Sequence, residues 1–140
     1  MVTTTILRQD ENSAVIMIQG STGPLTKAFV LHPGGATGPI GATGFAGTTG
    51  VGIVSVEKID WSATGSNILT LEYNGSTDQV IGYFDGNGRI DYYQHYQTKI
   101  TNSAPGADST ILLTTTTADP FLVLMKLEKT SGFVKVGQYS

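Results

Sequence analysis

Apolar and polar residues alternate along much of this chain with a period of two. Between Asn67 and Tyr73, Leu69, Leu71 and Tyr73 fall on one side and Thr70 and Glu72 on the other. Between Phe121 and Glu128, Phe121, Val123, Met125 and Leu127 share a face. That period predicts strands with one face buried, because successive side chains of a strand point to opposite sides. Strands are predicted over 3–8, 13–19, 25–32, 53–61, 67–73, 80–84, 90–93, 110–116 and 121–128, with a further short strand or tail over 133–139. In 53–61 the apolar parity switches between Val56 and Ile59, which predicts a bulge or a change of packing face. Asp10-Glu11-Asn12, Asn74-Gly75-Ser76 and Asp119-Pro120 read as turns, and Asp85-Gly86-Asn87-Gly88 as a tight hairpin into 90–93. No segment shows helical periodicity with caps. Threonine runs such as Thr114–Thr117 favour extended backbone. The fold class expected is all-β, a small antiparallel β-sandwich or barrel.

One stretch breaks the pattern. Glycine recurs at Gly35, Gly38, Gly41, Gly44, Gly47 and Gly50. A strict period of three is the requirement of a collagen triple helix, where three polyproline-II chains share an axis on which only glycine fits. A lone polyproline-II strand has no internal hydrogen bonds, so the reading asks for three copies of the chain, and the protein is expected to be a homotrimer. Pro39 is the only proline of the run, and threonine fills most positions before the next glycine. The same residues also read as a flexible Gly/Thr/Ala linker. The expected organisation is an N-terminal β segment over 1–34, the collagen-like repeat over 35–52 and a C-terminal β-sandwich domain over 53–140.

Composition narrows the function classes. The 140 residues are 39% hydrophobic and 14% charged, with a formal net charge of −3. Without a basic stripe, nucleic-acid binding through phosphate neutralisation is not expected. There is no cysteine, hence no disulfide or thiolate-metal site. No apolar run approaches a membrane span, and Met1–Thr5 lacks signal-peptide regions, so synthesis in a cytoplasm is expected. His32 and His95 have no metal-ligand spacing around them. Asp85–Gly88 has turn composition and lacks the distal glutamate of a calcium loop. Asn74-Gly75-Ser76 matches a glycosylation acceptor as turns often do. Asp60, Glu72, Asp78 and Asp91 are scattered, with no acid–base pairing. The chain is therefore not expected to be an enzyme or to carry a cofactor or metal. The most unusual surface candidate is the aromatic run around Tyr92, Tyr93 and Tyr96, a contact patch or strand aromatics packed on a neighbour.

The residues Val56-Glu57-Lys58-Ile59-Asp60-Trp61-Ser62, Leu71-Glu72-Tyr73-Asn74-Gly75-Ser76-Thr77-Asp78 and Gly86-Asn87-Gly88-Arg89-Ile90-Asp91 follow one another in order. Thr101-Asn102-Ser103-Ala104, Ile111-Leu112-Leu113-Thr114-Thr115 and Leu122-Val123-Leu124-Met125-Lys126-Leu127-Glu128-Lys129 come after them. Together with Ile16-Met17-Ile18-Gln19-Gly20, this succession resembles a small virion structural protein of tailed bacteriophages of marine bacteria, over more than half of the chain. The glycine repeat and the tail beyond Lys129 depart from that pattern. The resemblance implies a virion protein without catalytic residues: a homotrimeric head decoration (cement) protein on the capsid surface, partnered by itself and by the major capsid protein. The alternative is a fibre or adhesin module that binds host-surface glycans through Tyr92, Tyr93 and Tyr96.

Overall fold

The computed structural model describes residues 2–10, 12–21, 23–31, 48–97, 99–101 and 110–133, with 48–53 and 130–133 described by their backbone alone. The strands are β1 (Val2–Gln9), β2 (Ser13–Gly20), β3 (Ala28–Leu31), β4 (Thr48–Ala63), β5 (Ile68–Tyr73), β6 (Gln79–Asp85) and β7 (Asn87–Asp91). A short helix, α1 (Tyr92–Tyr96), precedes β8 (Ile100–Thr101), β9 (Ile111–Thr115) and β10 (Phe121–Phe133). Among the described residues they form two sheets with antiparallel pairing throughout. The larger runs β1-β2-β10-β4-β7, with β8 also on β4; the smaller runs β3-β9-β5-β6. The all-β expectation holds, as a two-sheet sandwich.

Alternation places the core between the sheets. Ile16 and Ile18 from β2, Val54, Val56 and Ile59 from β4, and Val123, Met125 and Leu127 from β10 are fully buried on the larger sheet's inner face. Leu69, Leu71 and Tyr73 from β5, with Ile111 and Leu113 from β9, face them from the smaller sheet. The Tyr73 hydroxyl donates to the Ile100 carbonyl at 2.8 Å and lies 3.3 Å from that of Val54, so it ties the two layers together. Burial raises its pKa, because the phenolate would lose its water there. Residues before the repeat belong to the same body. β2 lies between β1 and β10, β3 pairs with β9, and Ile16, Ile18, Val30 and Leu31 join the common core.

The parity switch in β4 is a bulge. Lys126 pairs with Lys58 and Leu127 with Val56, which leaves Glu57 as the extra residue. The bulge keeps Val56 and Ile59 both inward and leaves Glu57 to bridge Lys126 at 3.3 Å and Lys99 at 3.6 Å.

Four local readings are corrected. Asp85–Gly88 is not a hairpin, because β6 pairs with β5 and β7 pairs with β4. The chain changes sheet there, with Gly86 at φ +58°. Gly88 lies under Trp61: a Cβ at this position would run into the indole ring. That ring also packs at 4.7 Å on Phe84, and its N–H donates to the Asp85 carbonyl, closing the crossing. Second, the strand expected over 90–93 stops at Asp91, and Tyr92–Tyr96 is helical. Asp91 caps it by accepting from the Gln94 N–H at 2.9 Å, and Gln97 ends it in the left-handed region. A single turn is too short to show a 3.6-residue period. Third, the strand expected over 25–32 shortens to β3; Leu25 still exchanges hydrogen bonds with Thr115, but Lys27 at φ +46° breaks the ladder. Fourth, β4 starts earlier than expected, at Thr48, and β10 runs on through Gly132 to Phe133.

Candidate functional site

The glycine repeat connects β3 of the smaller sheet to β4 of the larger. Gly35, Gly38, Gly41, Gly44 and Gly47 lie outside the described residues, as do His32 and 134–140. Gly50 belongs to the backbone of β4.

The structure separates the three tyrosines. Tyr92 is buried and its hydroxyl reaches the Ile81 carbonyl at 3.4 Å, which makes it part of the packing between helix and sheet. Burial, and secondarily Tyr96, raises its pKa. Tyr93 and Tyr96 are 56% and 63% exposed. The Lys99 ammonium sits 5.2 Å from the Tyr93 ring centre and also pairs with Glu128, the contact that chiefly raises its pKa. His95 lies 6.3 Å, ring to ring, from Tyr96.

The carboxylates singled out in the sequence hold structural posts. Asp60 pairs with Arg89 across β4 and β7. Asp78 pairs with Lys27 at 2.6 Å and accepts from the Gly75 N–H, and both contacts hold its pKa below the ordinary value. Asp91 caps α1. Glu72 projects outward from β5 near Lys27, whose charge it favours. Among the described residues no group of His, Asp and Glu is placed to hold a metal ion, and no helix is long and apolar enough to cross a membrane. A shallow groove at one end of the larger sheet is lined by Thr3, Gln19, Gly20, Ser21, Pro120 and Phe121, none of which titrates.

What the sequence reading missed is the outer face of the smaller sheet. Cross-strand register puts Phe29, Leu112, Glu72 and Val80 in one row and Thr114, Thr70 and Tyr83 in the next. Ile68 follows, paired with Asp85. Of the seven large apolar side chains left exposed among the described residues, four stand here: Phe29, Ile68 and Val80 at 41% and Tyr83 at 69%. The signal was hidden in β6. Between the pairs Leu71–Gly82 and Glu72–Val80, Ile81 is an extra residue that turns inward. Val80 to Phe84 therefore reads as one apolar run with no clear face.

Comparison with protein-family models, with curated proteins and with solved structures finds no match.

Proposed function

We propose that the protein is a bacteriophage virion structural protein, a homotrimeric decoration (cement) protein on the head surface that contacts the major capsid protein. The observation that carries this reading is the six-glycine period, five glycines of which stand in sequence between β3 of one sheet and β4 of the other and the sixth, Gly50, in β4 itself. Such a period has a physical use when three chains meet, and trimers suit the three-fold positions of a capsid lattice. The ordered stretches that resemble phage virion proteins, and carboxylates engaged in pairs and caps, agree with a structural role. Labelled antibody on intact virions is expected to decorate the head; label confined to the tail would overturn the reading. Light scattering of the dilute protein is expected to give about three times the 14.7 kDa chain mass.

The exposure of Tyr93 and Tyr96 favours a second reading, a fibre or adhesin module whose two rings stack on host-surface glycans. A glycan array with the purified protein separates the two, since a decoration protein is expected to leave it blank.

A further inference from the structure

We infer that the two-stranded end of the β4–β10 pair, residues 48–53 with 130–133, is the surface through which three copies of this chain join. The inference rests on the homotrimer reading and adds the place of its contact.

Pairing sets this end of the two strands apart. Within the larger sheet β10 is held on both sides, by β4 and by β2, and its pairing with β2 stops at Glu128–Ser13. β4 has β10 on one side and β7, then β8, on the other, and that second side stops at Ser55–Thr101. Past those pairs the two strands run on together, through Lys129–Val54 and Ser131–Ile53 to Phe133–Thr48. Among the described residues no further strand pairs with 48–53 or 130–133. A ribbon of two strands is marginally stable on its own in water. Its edges are templates for pairing with another chain.

The occupant follows from what the chain attaches to this ribbon. Gly47, the fifth glycine of the period, is joined by one peptide bond to Thr48, the first residue of β4. Gly50, the sixth, already stands in the strand, so an axis shared by three copies hands over to the ribbon at Gly47. Consecutive Cα atoms are only about 3.8 Å apart. With three copies of Gly47 at the crowded axis of a triple helix, three copies of Thr48 stand within roughly 10 Å of one another, whatever path the rest of the connection takes. Three ribbons are thereby brought side by side, and each has its two sisters as the nearest cover.

The composition agrees. Between Lys27 and Glu57 the chain has no Asp, Glu, Lys or Arg, against 14% charged residues in the whole. A charge in that span would meet two copies of itself at a three-fold axis, and like charges set against one another oppose association. The ribbon itself is made of Thr, Ser, Gly, Val, Ile and Phe.

The chain contains no cysteine, so a single introduced thiol reports on one place. Thr48→Cys is compared with Thr5→Cys, an exposed position on β1, three strands from β4 in the larger sheet. Dilute full-length protein of trimer mass is treated with a bismaleimide about 10 Å long, matched to the spacing at the axis. On a denaturing gel the thiol at 48 is expected to join copies into covalent dimers at least roughly tenfold more than the thiol at 5. No cross-link at 48, or equal cross-linking at both positions, overturns the inference and leaves the homotrimer reading standing. A wild-type protein of single-chain mass overturns both. Should Thr48→Cys not fold, Val51→Glu decides. Three carboxylates at the joint are expected to raise the concentration at which the trimer dissociates about tenfold, less so at high salt, with an unchanged circular dichroism spectrum. Dissociation at the wild-type concentration overturns the inference.

Discussion

The outer faces of the two sheets are built differently. On the larger sheet, several positions that point away from the core carry paired charges: Asp60 with Arg89, Glu57 with Lys126 and Lys99, Glu128 with Lys99. Half-buried Met17, Leu122 and Leu124 sit among them. On the smaller sheet the corresponding positions hold exposed Phe29, Val80, Tyr83 and Ile68 among threonines, around a buried Leu112, with Glu72 and the Lys27–Asp78 pair alongside. Both sheets share one core and one pairing rule, so folding alone does not account for the difference. A face of paired charges is well solvated as it stands, whereas exposed aromatic and branched side chains keep a free energy of about 25 cal/mol per Å² that only another surface releases.

Removing what the two sheets have in common is expected to have the largest effect. A fragment starting at residue 53 lacks Ile16, Ile18, Val30 and Leu31, which are fully buried. At about 1.5–3 kcal/mol each, their loss is on the order of the whole stability of a domain. The fragment is expected to show no cooperative thermal transition by circular dichroism. Next comes the crossing between the sheets. Gly88→Val drives a side chain into Trp61 and is expected to cost about 3 kcal/mol or more, read as a fall in the urea midpoint. Gly86→Ala, where the added Cβ meets open space and only the backbone is strained, is expected to cost about 1 kcal/mol. Tyr73→Phe removes the hydroxyl shared by the buried carbonyl of Val54 and the half-buried one of Ile100 and is expected to cost about 1 kcal/mol.

The faces themselves separate at smaller effects. Arg89→Ala removes a largely exposed pair and is expected to cost under about 1 kcal/mol, less at high salt. The Lys27–Asp78 pair beside the smaller sheet is read by pH. Asp78 has its pKa lowered by folding, so its stabilisation is present above the ordinary carboxylate value of 3.8 and is lost as pH falls through the depressed folded value. Lys27 has its pKa raised, so its share is present below 10.5 and is lost as pH rises through the higher folded value. Thermal scans of wild type and Asp78→Asn are therefore expected to differ slightly at neutral pH and to converge toward about pH 2. A gap unchanged by acid would show that the pair does not act through charge. Within the repeat, Gly41→Val against Thr43→Val tests the triple helix without touching either face. Faster proteolysis of the first alone supports the shared axis, and equal rates favour a linker.

Local periodicity was enough for much of this molecule. The inward sets Leu69, Leu71 and Tyr73, and Phe121, Val123, Met125 and Leu127, could be read directly, because the two-residue repeat of a strand is written in adjacent positions. The bulge at Glu57 was legible for the same reason, as a slip in that repeat. Tertiary structure decided what depends on partners distant in sequence. Gly86-Asn87-Gly88 has the composition of a hairpin, and only the pairing of β6 with β5 and β7 with β4 makes it a crossing. Tyr92–Tyr96 is helical because one turn between Asp91 and Gln97 can lay Tyr92 against Ile81, a contact that no residue period announces. Phe29, Val80 and Tyr83 fall on one face because cross-strand register aligns four strands, β3, β9, β5 and β6, that lie far apart in the sequence. An outward-facing apolar residue looks, in the chain, the same as one that faces in.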